Sequence, residues 1–297
     1  VTVVAKWTAA DVADQHGRTV IITGANKGLG AEATRVVVGA GGRVIAACRD
    51  VDRASAFAQT VVGDVEVRHL DLADLASVRA FAAGIDTDVD VLINNAGVLA
   101  VSRGHTADGF ERHIGTNHLG PFVLTNLLLD QIRTRVVTVT SGLHVLGRIS
   151  PDLNWERRRY QRWLAYAQSK LANVLFAYEL QRRLAAAGRD VISVAAHPGV
   201  AATEGQRRDT SLQGKLLAGG RAQPPAMGAL PILFAATTPD VRGGTCIGPD
   251  GRFQRNGFPT EVRTSRASRD ATIAANLWRE SERLTGLRAR VDALWRE

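Results

Sequence analysis

Tyr166 and Lys170 stand four residues apart in a segment where Leu171, Val174, Leu175 and Tyr178 follow helical spacing. On a helix that spacing puts the two side chains one above the other. A phenol with a pKa of ~10 is a poor base at neutral pH, and a neighbouring ammonium favours its phenolate. The pair reads as an acid–base device in which Lys170 lowers the pKa of Tyr166. The chain has three tyrosines and four lysines, and of the tyrosines only Tyr166 has a lysine at this spacing. Tyr160 is followed by Leu164 at that distance, and Tyr178 by Arg182.

A second group of residues suits phosphate. Gly24-Ala25-Asn26-Lys27-Gly28-Leu29-Gly30 leaves the β-branched run 18–23 and opens onto the helical pattern Leu29, Ala33, Val36, Val37, Ala40. Strand, glycine loop and helix in that order make a phosphate site. Gly24 takes the sharp turn, while Gly28 and Gly30 let a diphosphate and the facing strand approach the backbone. The helix N-terminus adds N–H groups and positive potential.

Such residues need a scaffold. Short apolar runs at 43–48, 65–70, 89–93, 135–140, 190–196 and near 244–247 read as further strands, alternating with helical segments. The fold class is α/β, a doubly wound parallel sheet of Rossmann type. It forms a single domain over 1–297 with a helical C-terminal tail from about residue 250. One helix spans Phe110 to Ile132, with a kink expected at Gly120-Pro121. The tail gives two amphipathic stretches, Ile273/Leu277/Leu284 and Leu287/Val291/Leu294/Trp295, broken at Gly286 and suited to packing or homo-oligomeric self-association. Sheets of this kind bind ligands at the C-terminal strand ends, where the glycine loop, Asn94-Asn95-Ala96-Gly97, Ser141 and Pro198-Gly199 all fall.

The glycine spacing is Gly-x-x-x-Gly-x-Gly rather than the general Gly-x-Gly-x-x-Gly. With Thr23, Asn94-Asn95-Ala96-Gly97, Asn117, Ser141, the Tyr166/Lys170 pair and Pro198-Gly199 in that order, residues 17–285 resemble the short-chain dehydrogenase/reductase family. Ser141 precedes Tyr166 by 25 residues, and the stretch between, with His144, Gly147 and Arg148, resembles the retinol dehydrogenase and protochlorophyllide reductase branch. The resemblance implies hydride transfer between a nicotinamide and a carbonyl or alcohol, here bulky and apolar. Tyr166 is then the acid–base group, Lys170 its tuning cation, and Ser141 the donor to the substrate oxygen, with Asn117 holding a water of the proton path.

The same resemblance distributes the cofactor contacts. Gly24, Asn26, Lys27, Gly28, Leu29 and Gly30 take the diphosphate end. Asp71 and Leu72 border the adenine, and Asp71 equally suits a helix cap. Asn95, Ala96 and Gly97 lie against ribose and nicotinamide with Tyr166 and Lys170. Pro198, Gly199 and Val200 flank the nicotinamide, with Thr203 near its carboxamide or the diphosphate. NAD-specific members place an acid where this chain has Cys48 followed by Arg49. Arg49 can fork onto a 2′-phosphate and Lys27 adds charge, which favours NADP(H) over NAD(H). Asp50, one residue on, is the competing ribose acceptor. Ser150 competes with Ser141 but lies beyond the strand end. His197 reads as structural, the segment 155–163 as a solvated lobe with two anchoring tryptophans, and 204–223 as a lid.

Composition bounds the rest. The chain has 297 residues, 45% hydrophobic and 22% charged, with no apolar run of membrane-spanning length. Two cysteines, Cys48 and Cys246, make no disulfide framework and fit a reducing cytoplasm. The formal charge of +8 comes from scattered arginines without a nucleic-acid reading motif. No His/Cys cluster points to a metal. Two rivals stay open: a non-catalytic dinucleotide sensor or scaffold on the same fold, and a sugar-nucleotide epimerase or dehydratase, which would retain NAD tightly.

Overall fold

Successive residues of a strand face opposite sides of its sheet, so a strand covered on both sides is apolar throughout. β1 (Thr19–Thr23) shows this: Ile21 enters one core cluster while Val20 and Ile22 enter the other, all three fully buried. In the computed structural model, which describes residues 6–201, 222–288 and 291, the sheet has eight strands in the order β3-β2-β1-β4-β5-β6-β7-β8. β2 (Arg43–Cys48), β3 (Val65–His69), β4 (Val89–Asn94), β5 (Ile132–Val139), β6 (Ile192–Ala196) and β7 (Cys246–Pro249) run parallel with β1. The strand order reverses between β1 and β4, and that switch point is where a doubly wound sheet opens a crevice for a ligand.

Helices cover both faces. α1 (Gly28–Gly39) lies on the face of Val20 and Ile22, together with Pro225–Thr237. α2 (Val51–Ala58) follows β2 and α3 (Leu75–Ala83) follows β3. α3 shares the other face with α4 (Arg112–Ile114), α5 (Gly120–Leu128) and α6 (Arg162–Ala186). The Pro225–Thr237 helix is α7, and α8 (Ala271–Thr285) packs on α5 and α6. Among the described residues no helix is long and apolar enough to cross a membrane.

Three expectations change. The helix expected over 110–132 ends at Leu128, and Ile132 already belongs to β5. At Gly120-Pro121, where a kink is expected, the chain instead widens into a π turn over Gly115–Leu119 directly before them. Pro121 has no N–H for the carbonyl four residues back, and its ring would press on it, so a wider turn is the relaxed solution. The last strand is not β7: β8 (Pro259–Glu261) extends the sheet antiparallel to it, a short edge piece whose alternation is too brief to read.

The first tail stretch is packing. Asp270 caps α8 and Gly286, at φ 64°, ends it. Trp278 stacks on Phe176 at 5.8 Å and meets Phe122 edge-on at 5.0 Å, with the Arg183 guanidinium over its ring. Of the second stretch, Leu287 packs against the core and Val291 is buried in it, and Leu294 and Trp295 lie outside the described residues.

Candidate active site

The glycine loop leaves β1 at the switch point. Gly24 at φ 67° and Gly28 at φ 53° take the left-handed conformation that glycine adopts at least cost. A Cβ on Gly28 would meet open space, whereas one on Gly30 would run into the Gly24 carbonyl and stand 2.7 Å from Nδ2 of Asn95. α2, α3 and α8 are capped by the carboxylates of Asp50, Asp74 and Asp270; α1 begins after Lys27 with no side-chain cap. Its first N–H groups therefore face the cradle without an anionic side chain of the helix's own, which fits a diphosphate. Asn26 and Ala25 turn backbone N–H groups onto the Cys48 thiol beneath the loop, and burial pushes that thiol up.

Thr23 and Asn95 join the exits of β1 and β4. Oγ1 of Thr23 accepts from the N–H groups of Asn95 and Ala96, each at 2.9 Å, and Nδ2 of Asn95 donates to the Thr23 carbonyl at 2.8 Å. Gly97 comes next, and a Cβ there would lie 2.9 Å from Oδ1 of Asn117 and 3.6 Å from Nζ of Lys170. The glycine thus leaves a slot beside both side chains. Asn117 clamps the following residue, accepting from Val98 N–H at 2.7 Å and donating to its carbonyl at 3.0 Å. Its Nδ2 also donates to Ser169 on α6 at 2.9 Å.

At the adenine end, Arg49 is exposed after β2, and Oδ1 of Asp50 accepts from Arg53 N–H at 3.0 Å as the N-cap of α2. Asp71 does not cap the next helix; Asp74 does, while Oδ1 of Asp71 accepts from Ala73 N–H within its own turn. Leu72 is buried, its backbone tight against Gly120.

Ser141 lies two residues past β5 and caps a short 3-10 turn, accepting from Leu143 N–H at 3.2 Å. Its side chain stands near enough to the Tyr166 hydroxyl to favour the phenolate. Ser150 instead closes a local turn by accepting from Asp152 N–H. Tyr166 and Lys170 both face inward from α6, with Nζ of Lys170 5.8 Å from the phenol ring centre. The expected lowering of the phenol does not follow from that proximity. Burial pushes Tyr166 up to about 12, the nearby Ser141 side chain opposing it, and burial brings Lys170 down to about 8. Nζ of Lys170 donates to the Val139 carbonyl at 3.0 Å.

Pro198, Gly199 and Val200 turn away from β6. Gly199 is at φ 65°, Val200 N–H donates to the Arg255 carbonyl at 2.7 Å, and Gln223 donates to the Pro198 carbonyl at 2.7 Å. Leu29 and Pro198 meet around Gly228 of α7, which ties the glycine loop to this turn. His197 is structural, as expected: it is buried, its Nδ1 accepts from Gly199 N–H, and its Nε2 pairs with Gln254 at 3.0 Å. Burial brings it down to about 4. Thr203 and most of the stretch read as a lid, 204–221, lie outside the described residues.

The segment 155–163 is a lobe as expected, with Glu156, Arg157, Arg159 and Gln161 exposed and its two tryptophans turned inward. Trp155 is buried under Arg158, which stands 3.6 Å over its ring, and Trp163 meets Tyr166 edge-on at 6.2 Å. Tyr160 reaches a buried pair, Glu111 and His113, and His113 meets Tyr166 edge-on at 6.0 Å. These residues went unread because a Glu and a His two apart at a helix start look like ordinary capping. Exposed Val145, Leu146 and Leu164 flank Ser141 and Tyr166 in the chain.

Residues 18–213 match the family described as short chain dehydrogenase. Retinol dehydrogenase 13 of Homo sapiens is 41% identical over 294 residues, 92% of this chain and 86% of that protein. The crystal structure of an uncharacterised protein from Mycobacterium paratuberculosis has 49% identity and a TM-score of 0.85, covering 96% of this chain and 99% of that one. RhlG from Pseudomonas aeruginosa, solved as an NADP active-site complex, shares the fold with a TM-score of 0.64 at 24% identity, covering 80% of this chain and 97% of that one.

Proposed function

The chain belongs to the short chain dehydrogenase family and is an NAD(P)-dependent oxidoreductase acting on CH–OH and C=O groups; within that family we propose that it uses NADP(H), that its substrate is bulky and apolar, and that Tyr166 is its acid–base group. The observation that carries the assignment of Tyr166 is its burial beside Lys170, whose Nζ lies 5.8 Å from the phenol ring and borders the slot left by Gly97.

The nicotinamide supplies or accepts the hydride when bound. Tyr166 gives its hydroxyl proton to the carbonyl oxygen in reduction and takes the alcohol proton in oxidation. Ser141 donates to the same oxygen and shares the charge that develops there. Lys170, beside the slot left by Gly97, would hold a ribose hydroxyl of the cofactor and adds positive charge to the site. Asn117 keeps Val98 in place, so the wall next to Gly97 does not drift. The glycine cradle binds the diphosphate through the α1 N–H groups.

Two features favour NADP(H). Arg49 is exposed at the end of β2, available to a 2′-phosphate, and the Asp50 carboxylate is engaged in capping α2. For the substrate, Trp163 beside Tyr166 and the exposed Val145, Leu146 and Leu164 offer apolar surface. The human relative's name, retinol dehydrogenase, points to an alcohol of the same character.

The test is calorimetric titration with NADPH and NADH side by side, then a carbonyl panel with the tighter cofactor. NADPH should bind more tightly, long apolar aldehydes should lead the panel, and Tyr166→Phe should abolish turnover while leaving cofactor affinity intact. Tyr166→Phe with full turnover would overturn the mechanism. NAD retained through purification would favour epimerase chemistry instead.

A further inference from the structure

Glu111 is 1% exposed, and a buried carboxylate stays ionised only where donors replace its water. Three do so here. Nδ1 of His113 lies 2.8 Å and the Tyr160 hydroxyl 3.0 Å from Oε1, and the Ile114 N–H lies 2.9 Å from Oε2. Burial pushes the Glu111 carboxyl up, and the hydrogen bonds outweigh it, holding the group below the usual carboxylate range. His113 is fully buried and its Nε2 accepts from Val101 N–H at 3.2 Å, so the ring carries its proton on Nδ1 and spans from the carboxylate to the backbone.

The residue so held matters. Val101 belongs to the segment that leaves Gly97, whose other end, Val98, is clamped by Asn117. Between the clamps Ala100 is buried at φ 45°, a left-handed conformation that is unfavourable for a non-glycine residue and persists where its surroundings over-determine it. Tyr160 brings in a third element. Its hydroxyl ties the segment before α6 to Glu111, and its ring packs edge-on against Trp155 at 5.7 Å. On the other side of the unit, the His113 ring meets the Tyr166 ring at 6.0 Å and 67°, while Trp163 meets it at 88°. The phenol is held between two rings, one of them fixed by a buried charge.

We propose that Glu111, His113 and Tyr160 are a positioning unit for the reaction: the carboxylate orients His113, which in turn fixes the 98–101 segment and the ring plane of Tyr166. The unit touches neither substrate nor cofactor in this reading, and it rests on Tyr166 being the acid–base group. Displacements of the order of an ångström lower turnover strongly, so the loss should appear in kcat rather than in binding.

The test uses the full chain with NADPH and decanal. Tyr160→Phe deletes one hydroxyl and keeps the ring against Trp155; Glu111→Gln deletes the charge. Each is expected to lower kcat about tenfold, with KM for NADPH within about twofold of the parent. Hydrogen exchange at the Val101 amide should accelerate in both, while that at the Val98 amide should not. Tyr166→Phe serves as the reference for lost chemistry. If Tyr160→Phe lowers only the melting temperature, with kcat per folded molecule and Val101 exchange unchanged, the unit is structural and the proposal fails. Should Glu111→Gln not fold, Tyr160→Phe decides alone. A fully active Tyr166→Phe, or no reduction of decanal by the parent, would overturn the proposed function instead, and unchanged exchange at Val101 would still overturn the positioning unit.

Discussion

Lys170 donates to the carbonyl oxygen of Val139 at 3.0 Å, and Asn173 donates to the same oxygen at 3.0 Å. The lysine is buried, and burial brings it from 10.5 down to about 8. With the folded value below the unfolded one, the penalty for burying the charge is fully present below pH 8. It is relieved between about pH 8 and 10.5, where the unfolded chain binds more protons. Lys170→Met should therefore be more stable than the parent at pH 7, on the order of 1–3 kcal/mol, with the gap closing by pH 10. Asn173 remains on the Val139 carbonyl in the variant. Cys48 and Cys246, both raised by burial, oppose the trend at alkaline pH in both proteins, so the difference between urea midpoints is the quantity to follow. A gap that widens with pH would refute this account.

Ser141 acts on the other member of the pair. Its side chain favours the Tyr166 phenolate, against burial that raises the phenol to about 12. Ser141→Ala removes the opposing influence, so the alkaline rise of kcat/KM in alcohol oxidation should move to higher pH. Carbonyl reduction, which needs the protonated phenol, should stay level from pH 6 to 8 and fall about 100-fold in rate with the lost donor. A shift of the oxidation profile to lower pH would sink the assignment.

Cofactor preference separates two adjacent residues. Arg49→Ala should weaken NADPH about 10- to 100-fold, the value of a charge-assisted contact, and leave NADH within about twofold. Asp50→Ala should cost about 1 kcal/mol of stability as a lost helix cap and leave the preference alone. Equal losses for both cofactors in Arg49→Ala would assign that arginine to general binding.

Most of the sheet was legible because strands buried on both sides have to be apolar throughout, and the glycine loop because strand, turn and helix are contiguous in the chain. Ser141 and Tyr166 could be paired only through a resemblance, since they lie 25 positions apart with much irregular chain between. What stayed hidden depended on long-range packing. The Glu111–His113–Tyr160 contacts bridge 49 and 47 positions, and no local period marks them. The phenol's pKa was misread for a related reason: sequence spacing shows which charge stands near, whereas burial, here the larger influence, appears only once the fold surrounds the group. A break in the regular helix was expected at the right proline but as a kink rather than a π turn, because proline excludes a regular helix without specifying its replacement.

The tail helix offers a test of how far the core extends beyond the sheet. Trp278 is 2% exposed, stacked on Phe176 of α6 and edge-on to Phe122 of α5, and Ser281 one turn on bonds to the buried His118 at 2.9 Å. These contacts join α8 to the two helices that position Asn117 and Tyr166, on their side away from the glycine loop. Removing the indole leaves a cavity among large rings that cannot collapse into it, so Trp278→Ala should lose about 3–5 kcal/mol in urea unfolding. If α8 is part of one cooperative unit, the loss appears as a single transition at lower urea, with kcat per folded molecule preserved. Two transitions, the first removing only part of the helical circular dichroism, would instead show that α8 detaches by itself.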